Sequence, residues 1–164
     1  MTDLGLVASS CGGLDTQFRR EIAEPAAARG WRLAITLTPT AAQWLEAADE
    51  IGKLAELTDL EVRTDARLPG APRPHPDPDV FLFAPASANS VAKLALGIAD
   101  NQALTVLGDA LGDPAVTIVV GYKVRDERSG HPAWQRHLDV LSSAGVRLVR
   151  LGDSWTTALE RLPF

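Results

Sequence analysis

Three short segments of this 164-residue chain combine hydroxyl side chains with small residues at the point where an apolar run gives way to a helical pattern. They read Ser9-Ser10-Cys11-Gly12-Gly13, Thr36-Leu37-Thr38-Pro39-Thr40 and Pro85-Ala86-Ser87-Ala88-Asn89-Ser90. Hydroxyl and backbone N–H groups at the start of a helix are suited to bind an anion such as phosphate. The same residue types also serve as ordinary turn and N-cap residues, so one segment alone has two interpretations. The three together predict one anion-binding pocket.

Such a pocket requires the three loops to lie at one edge of a sheet, and the order of elements provides for this. Strands are predicted at residues 4–8, 32–37, 60–63, 80–84, 116–120 and 146–151, and helices at 14–26, from 38–39 onward, and at 90–98, 102–111, 132–144 and 155–162. Residues 80–84 are apolar throughout, which is typical of a central parallel strand. Prolines in 68–78 indicate an extended excursion. We predict a single domain spanning 1–164, a three-layer α/β/α, Rossmann-like (flavodoxin-like) fold with a central parallel sheet.

Composition excludes several classes of protein. The net charge of −5, with scattered basic residues, argues against a nucleic-acid-binding surface. Cys11 is the single cysteine, so an intramolecular disulfide and paired-cysteine zinc sites are excluded, and we expect a cytoplasmic protein without a metal. The N-terminal apolar run is too short for a signal peptide or a membrane span. No dinucleotide or P-loop glycine motif is present, so NAD and ATP are not indicated.

Residues 85–101, read as PASANSVAKLALGIADN, resemble the flavoprotein family that contains phosphopantothenoylcysteine decarboxylase and the lantibiotic peptidyl-cysteine decarboxylases. The segments at 8–13, 38–45 and 131–135 flank this signature in the family's order. The resemblance implies bound FMN, no added metal, and a substrate with a cysteine-derived carboxylate. It also implies a homotrimer, or a homododecamer built from trimers, with the flavin at the contact between neighbouring subunits, and no nucleic-acid or membrane partner.

Carried over by position, the family's cofactor-binding residues fall in the three loops described above. They are Ser9, Ser10, Cys11, Gly12, Thr38, Pro85, Ala86, Ser87, Ala88, Asn89 and Ser90. Asn89 is also implied in catalysis. Lys93 and Asp100 lie on the following helix and at its end, where a solvated lysine and a helix cap explain them equally well.

The sequence departs from the family at two positions that matter for catalysis. Ala71 stands where the family has its active-site histidine, and His75 is the nearest candidate for that catalytic role, although an exposed loop histidine is an equal alternative. The substrate loop Pro-x-Met-Asn-x-x-Met is replaced by residues 122–128, read as YKVRDER. Arg125 takes the asparagine position and could bind a carboxylate by a bidentate contact, or belong to an ordinary charged loop.

Three functions follow from the resemblance. The first is flavin-dependent oxidative decarboxylation of a cysteine-derived carboxylate, such as the C-terminal cysteine of a peptide in natural-product biosynthesis. The second is an FMN-binding redox or sensory flavoprotein that has lost the decarboxylase substrate clamp. The third, a flavin prenyltransferase, is disfavoured by residues 85–89 and by His131-Pro132.

Overall fold

The central layer is one five-stranded sheet in a computed structural model that describes residues 2–163. Its strands are β1 (Thr2–Ala8), β2 (Trp31–Leu37), β3 (Val80–Ala86), β4 (Thr117–Tyr122) and β5 (Arg147–Arg150). They lie in the order β2-β1-β3-β4-β5, and every neighbouring pair is parallel. The predicted flavodoxin-like sheet is confirmed. Its direction of winding switches between β1 and β3, where such sheets bind ligands at the carboxyl ends of the strands.

Helices cover both faces of the sheet. They are α1 (Leu14–Gln17), a π-helical turn (Phe18–Ala23), α2 (Glu24–Ala28), α3 (Pro39–Ala47), α4 (Ile51–Ala55), α5 (Ala88–Leu96), α6 (Gln102–Leu111), α7 (Asp126–Ser129), α8 (Trp134–Ser143) and a 3₁₀ helix (Thr156–Arg161). Side-chain caps begin two of the helices on the second face, α5 and α6. Asn101 Oδ1, for example, accepts a hydrogen bond of 2.9 Å from Leu104 N–H and begins α6.

The core has two halves, one on each face of the sheet. Leu4 and Leu6 face the half covered by α1 to α4 and the 3₁₀ helix, whereas Val7 and Phe83 face the half covered by α5, α6 and α8. Every residue of β3 is buried, as expected for the central strand. The Phe81 ring lies against the backbone of Gly5, where an added Cβ would be 2.3 Å from a ring carbon, so a larger residue at Gly5 would displace the ring.

Three predicted elements differ from the structure. Residues 60–63 form no strand, and Arg63 alone among them forms a β-bridge, with Thr36 of β2. Part of the hydrogen-bonding capacity at this edge of β2 is used by the Thr58 hydroxyl, which donates to Leu33 O at 2.7 Å. The C-terminal helix is 3₁₀, and a π-helical turn interrupts the first one. Residues 68–78 contain neither helix nor strand, as the prolines predicted. Within 2–163, no helix is both long and apolar enough to cross a membrane.

Candidate functional site

A cavity of about 630 Å³ lies at the carboxyl ends of β1 to β4. Its size falls within the range of small-molecule and cofactor sites. All three predicted loops contribute to its walls, and the predicted residues found there are Ser10, Cys11, Gly12, Thr38, Ser87, Ala88, Asn89 and Ser90. The structure therefore brings together the segments that the sequence singled out.

Ser9, Pro85 and Ala86 do not line this cavity but support the loops that do. The buried Ser9 hydroxyl donates to Pro85 O at 3.2 Å and accepts from Ser87 N–H at 2.8 Å. Ser9 N–H donates to the same Pro85 carbonyl at 3.0 Å, and the Ala84–Pro85 peptide bond is cis. Since the hydroxyl gives its proton to Pro85 O and accepts from Ser87 N–H, Ser9 ties the first loop to the third.

Two helices of nine residues each, α3 and α5, begin at the cavity wall. Thr38 Oγ1 accepts from Ala41 N–H at 3.3 Å, and Ser87 Oγ accepts from Ser90 N–H at 3.1 Å. These caps leave the N–H groups of Thr40 and Asn89 in the first helical turn, where no intrahelical acceptor exists. Donors of this kind, with the positive ends of two helix dipoles, favour a bound anion.

Charged side chains add to this preference. Four basic residues and one acidic residue line the cavity, namely Lys93, Lys123, Arg125, Arg128 and Asp100. Lys93 Nζ pairs with Asp100 Oδ2 at 2.7 Å, and Lys123 Nζ lies 5.3 Å from the centroid of the Trp155 ring. The guanidinium groups of Arg125 and Arg128 make no hydrogen bond or ion pair within residues 2–163. A chain of net charge −5 thus concentrates unpaired positive charge in one cavity.

Cys11 forms a neutral part of the cavity wall. Burial raises the pKa of its thiol to about 12, against the opposing influence of Lys123 and of the Ser9 hydroxyl. The thiolate is the nucleophilic form of cysteine, and it is scarcely populated at such a pKa. Cys11 therefore contributes a small, weakly polar surface and no nucleophile.

His75 lies apart from the other two predicted catalytic residues. Asn89 and Arg125 line the first cavity, whereas His75 lines a second one of about 320 Å³, together with Gly5 and Arg63 among others, and the two cavities share no lining residue. Its Nε2–H donates to Glu61 O at 2.6 Å. Burial, and then the charge of Arg63, lower the pKa of His75, so the imidazole is neutral. One chain alone does not bring His75 to Arg125.

The family model for flavoproteins matches residues 22–159, which is most of the chain. The chain belongs to the flavoprotein family. This agrees with the resemblance carried by residues 85–101.

Individual relatives of this flavoprotein give a consistent picture of the fold. The FMN-dependent cysteine decarboxylase TvaF from thioviridamide biosynthesis is 23% identical, with a TM-score of 0.75 over 98% of this chain and 94% of that chain. The peptidyl-cysteine decarboxylase EpiD is 20% identical, with a TM-score of 0.69 over 91% and 86%. The FMN binding protein AtHal3 is 20% identical, with a TM-score of 0.63 over 90% and 80%. At these identities the likeness shows the fold.

A curated relative gives a shorter match. A cysteine/cysteine sulfinic acid decarboxylase from an unknown prokaryotic organism is 36% identical over 75 residues. The match covers 46% of this flavoprotein and 20% of the relative, so it spans about a fifth of that protein's length.

Several residues of the flavoprotein's cavity were not singled out by sequence reasoning. Lys123 and Arg128 belong to the altered substrate loop, but only Arg125 was assigned a role within it. Thr40, which belongs to the second predicted loop, and Asn101 also line the cavity, although neither was assigned a binding role. A signal existed for the basic residues, because three of them occur within six positions, at 123, 125 and 128. Nothing in the sequence showed which of these charges would point inward.

Proposed function

We propose that this flavoprotein binds FMN in the 630 Å³ cavity and catalyses the oxidative decarboxylation of a cysteine-derived carboxylate. One observation carries the proposal: Asn89, in the first turn of α5, and the unpaired guanidinium of Arg125 line the same cavity as the anion-binding loops. The relatives named above support it, since TvaF is an FMN-dependent cysteine decarboxylase and EpiD a peptidyl-cysteine decarboxylase.

The residues present fit FMN. Its phosphate needs several donors without competing carboxylates, which Ser10, Thr38 and the N–H of Thr40 supply at the α3 end of the cavity. Its ring needs a wall of small side chains. Gly12 lines the cavity, and a Cβ built on it has no atom within 4 Å, so glycine leaves space there that a side chain would occupy.

When bound, FMN supplies a two-electron acceptor for the hydride on the carbon that carries sulfur, which permits loss of the adjacent carboxylate as CO2. The chain's own residues position the substrate. Arg125 binds the carboxylate by a charge-assisted, bidentate contact, and Asn89 orients the reacting end with its amide. Because the overall reaction removes two electrons and two hydrogens from the substrate, an external acceptor such as dioxygen would be required to complete it.

A homo-oligomer would complete the site. A general base must come within hydrogen-bond reach of the proton it removes. In one chain His75 lines a different cavity from Arg125. We therefore propose that a neighbouring copy, in a trimer or a dodecamer of trimers, contributes His75. Burial lowers the pKa of His75 and so keeps the imidazole neutral, which is the form that can accept a proton. A cytoplasmic location remains a prediction from composition.

The test uses protein reconstituted with FMN and passed through gel filtration. We expect retained flavin, with an absorbance band near roughly 450 nm. A peptide ending in cysteine, incubated with this protein in air, should lose CO2 and two hydrogens by mass spectrometry. Arg125→Ala should retain FMN and lose this reaction. Absence of retained FMN would refute the cofactor, and retained FMN without a mass change would refute the decarboxylase.

The second candidate is a redox or sensory flavoprotein. The separation of His75 from Arg125 favours it, because an FMN site without a base in reach binds the cofactor but cannot process a thiol substrate. Retained, reducible FMN together with an unchanged Cys-terminated peptide would support this function over the first.

A further inference from the structure

The segment after β4 separates its charges between the cavity and the solvent. Lys123, Arg125 and Arg128 line the 630 Å³ cavity, whereas the intervening Asp126 and Glu127 do not. Asp126 Oδ1 instead pairs with Arg150 Nη2 at 3.2 Å, on the outer side. The acidic residues of this segment therefore leave the basic charges in the cavity unneutralised.

Arg125 and Arg128 stand at the start and within one short helix. Arg125 is the N-cap residue of α7 and has an extended backbone, and Arg128 lies three residues later within the helix. Both side chains are exposed and line the cavity. Two positive charges at the cavity wall are therefore available to bind anionic groups of a ligand.

A groove of about 190 Å³ continues from the mouth of the cavity. It shares Ala88, Asn89 and Arg128 with the cavity, and its remaining walls include His131 and Trp134. The Trp134 ring is held edge to face against Tyr122, at 5.5 Å between centroids. His131 Nδ1 accepts from Ala133 N–H at 3.0 Å, so the ring proton sits on Nε2 as a donor. Arg128 stands where the cavity and the groove meet.

The charges in the cavity exceed what one cofactor and one carboxylate would neutralise. Lys123, Arg125 and Arg128 supply three unpaired positive charges, and the N-termini of α3 and α5 add about +0.5 each. A phosphate monoester carries about −2 near neutral pH, and a substrate carboxylate carries one more negative charge. About one positive charge remains, and Arg128 is the basic residue farthest along the path out of the cavity, because it alone of these three also lines the groove.

We infer that the substrate is a peptide that ends in cysteine and carries an acidic side chain immediately before it. The inference rests on the proposed function. The terminal carboxylate binds Arg125, the peptide leaves through the groove over Trp134, and the acidic side chain binds Arg128. The groove favours a peptide over free cysteine, because a single amino acid would leave the groove empty.

The test measures binding to FMN-loaded protein with unreactive peptides, in which serine replaces the terminal cysteine. Two short peptides differ only in the preceding residue, glutamate or glutamine. We expect the glutamate peptide to bind about fivefold more tightly, which corresponds to about 1 kcal/mol for one ion pair. Arg128→Gln should reduce this preference to near unity. Arg136→Gln, which removes an exposed charge on α8 outside both the cavity and the groove, should preserve it.

Equal affinity for the two peptides, a preference that survives in Arg128→Gln, or no binding of either peptide would overturn the inference. Free serine that binds as tightly as the glutamate peptide would overturn the role of the groove. Turnover is measured separately, with the matching cysteine peptides. Decarboxylation of both with equal kcat/KM would leave the proposed function standing and contradict the inference. A binding preference without any decarboxylation would contradict the proposed function and would make the acidic peptide a ligand rather than a substrate.

Discussion

Ser9→Ala should destabilise the fold, although Ser9 lies in a loop that resembles a ligand site. Its hydroxyl accepts from Ser87 N–H at 2.8 Å and donates to Pro85 O at 3.2 Å. The Pro85 carbonyl would keep its bond from Ser9 N–H at 3.0 Å, so the substitution leaves one partly buried donor, Ser87 N–H, without a partner. An unsatisfied buried donor costs about 1–3 kcal/mol. Partial exposure of Ser87 places the expected loss at about 1–2 kcal/mol.

For a chain of this size each kcal/mol shifts Tm by about 2–4 °C, so apo Ser9→Ala should melt about 2–8 °C below the parent protein. The matched control is Ser10→Ala, because Ser10 lines the cavity and its hydroxyl makes no hydrogen bond within 2–163. That variant should keep the apo Tm and lose FMN affinity instead. Melting of the two apo variants by circular dichroism separates the roles. Equal apo Tm values for Ser9→Ala and the parent would refute a stabilising role for the Ser9 hydrogen bonds to Pro85 and Ser87.

Three other results are expected. Since the pKa of Cys11 is raised from 9.0 to about 12, its stabilising contribution is complete below pH 9.0 and is lost as the pH rises toward 12. The free energy of unfolding, measured by urea titration, should therefore fall less between pH 9.0 and about 12 in Cys11→Ser than in the parent protein. The same pH dependence in both proteins would contradict this. Asn89→Trp should fold but release FMN on gel filtration, whereas Leu96→Trp, at the exposed far end of α5, should retain it; retention by both would remove Asn89 from the site. Co-refolded His75→Ala and Arg125→Ala should regain decarboxylation that neither shows alone, and no recovery in the mixture would contradict subunit sharing.

Most of the fold could be predicted because its signals are local. The uninterrupted apolar run at 80–84 identified the central strand, and Thr38 followed by Pro39 marked the start of α3 where the structure begins it. The strand prediction for residues 60–63 was wrong, because Leu60 and Val62 alternate with charged residues as they would in a strand. Whether such a segment pairs depends on what satisfies the β2 edge, and a side-chain hydroxyl from Thr58 does part of this. A tertiary hydrogen bond of that kind leaves no pattern in the sequence.

The candidate site was predictable to a similar degree. Parallel strands end at a common edge, so the meeting of three loops followed from the strand order. The distinct roles of Ser9 and Ser10 did not, because adjacent serines are equivalent in sequence and only the fold shows that one is buried and the other lines the cavity. The orientation of residues 123–128 was also out of reach, since α7 has four residues and shows no periodicity.

The anion-binding and substrate-binding parts of this cavity depend on different features of the chain. The first uses backbone N–H groups at the starts of α3 and α5, which are fixed by the local caps Thr38 and Ser87. Substitution of many surrounding side chains leaves those donors in place. The second depends on side chains, because Arg125 and Arg128 act only through their own charge and length. A flavoprotein can therefore keep its cofactor while the segment after β4 changes, and substrate preference should follow that segment rather than residues 85–90.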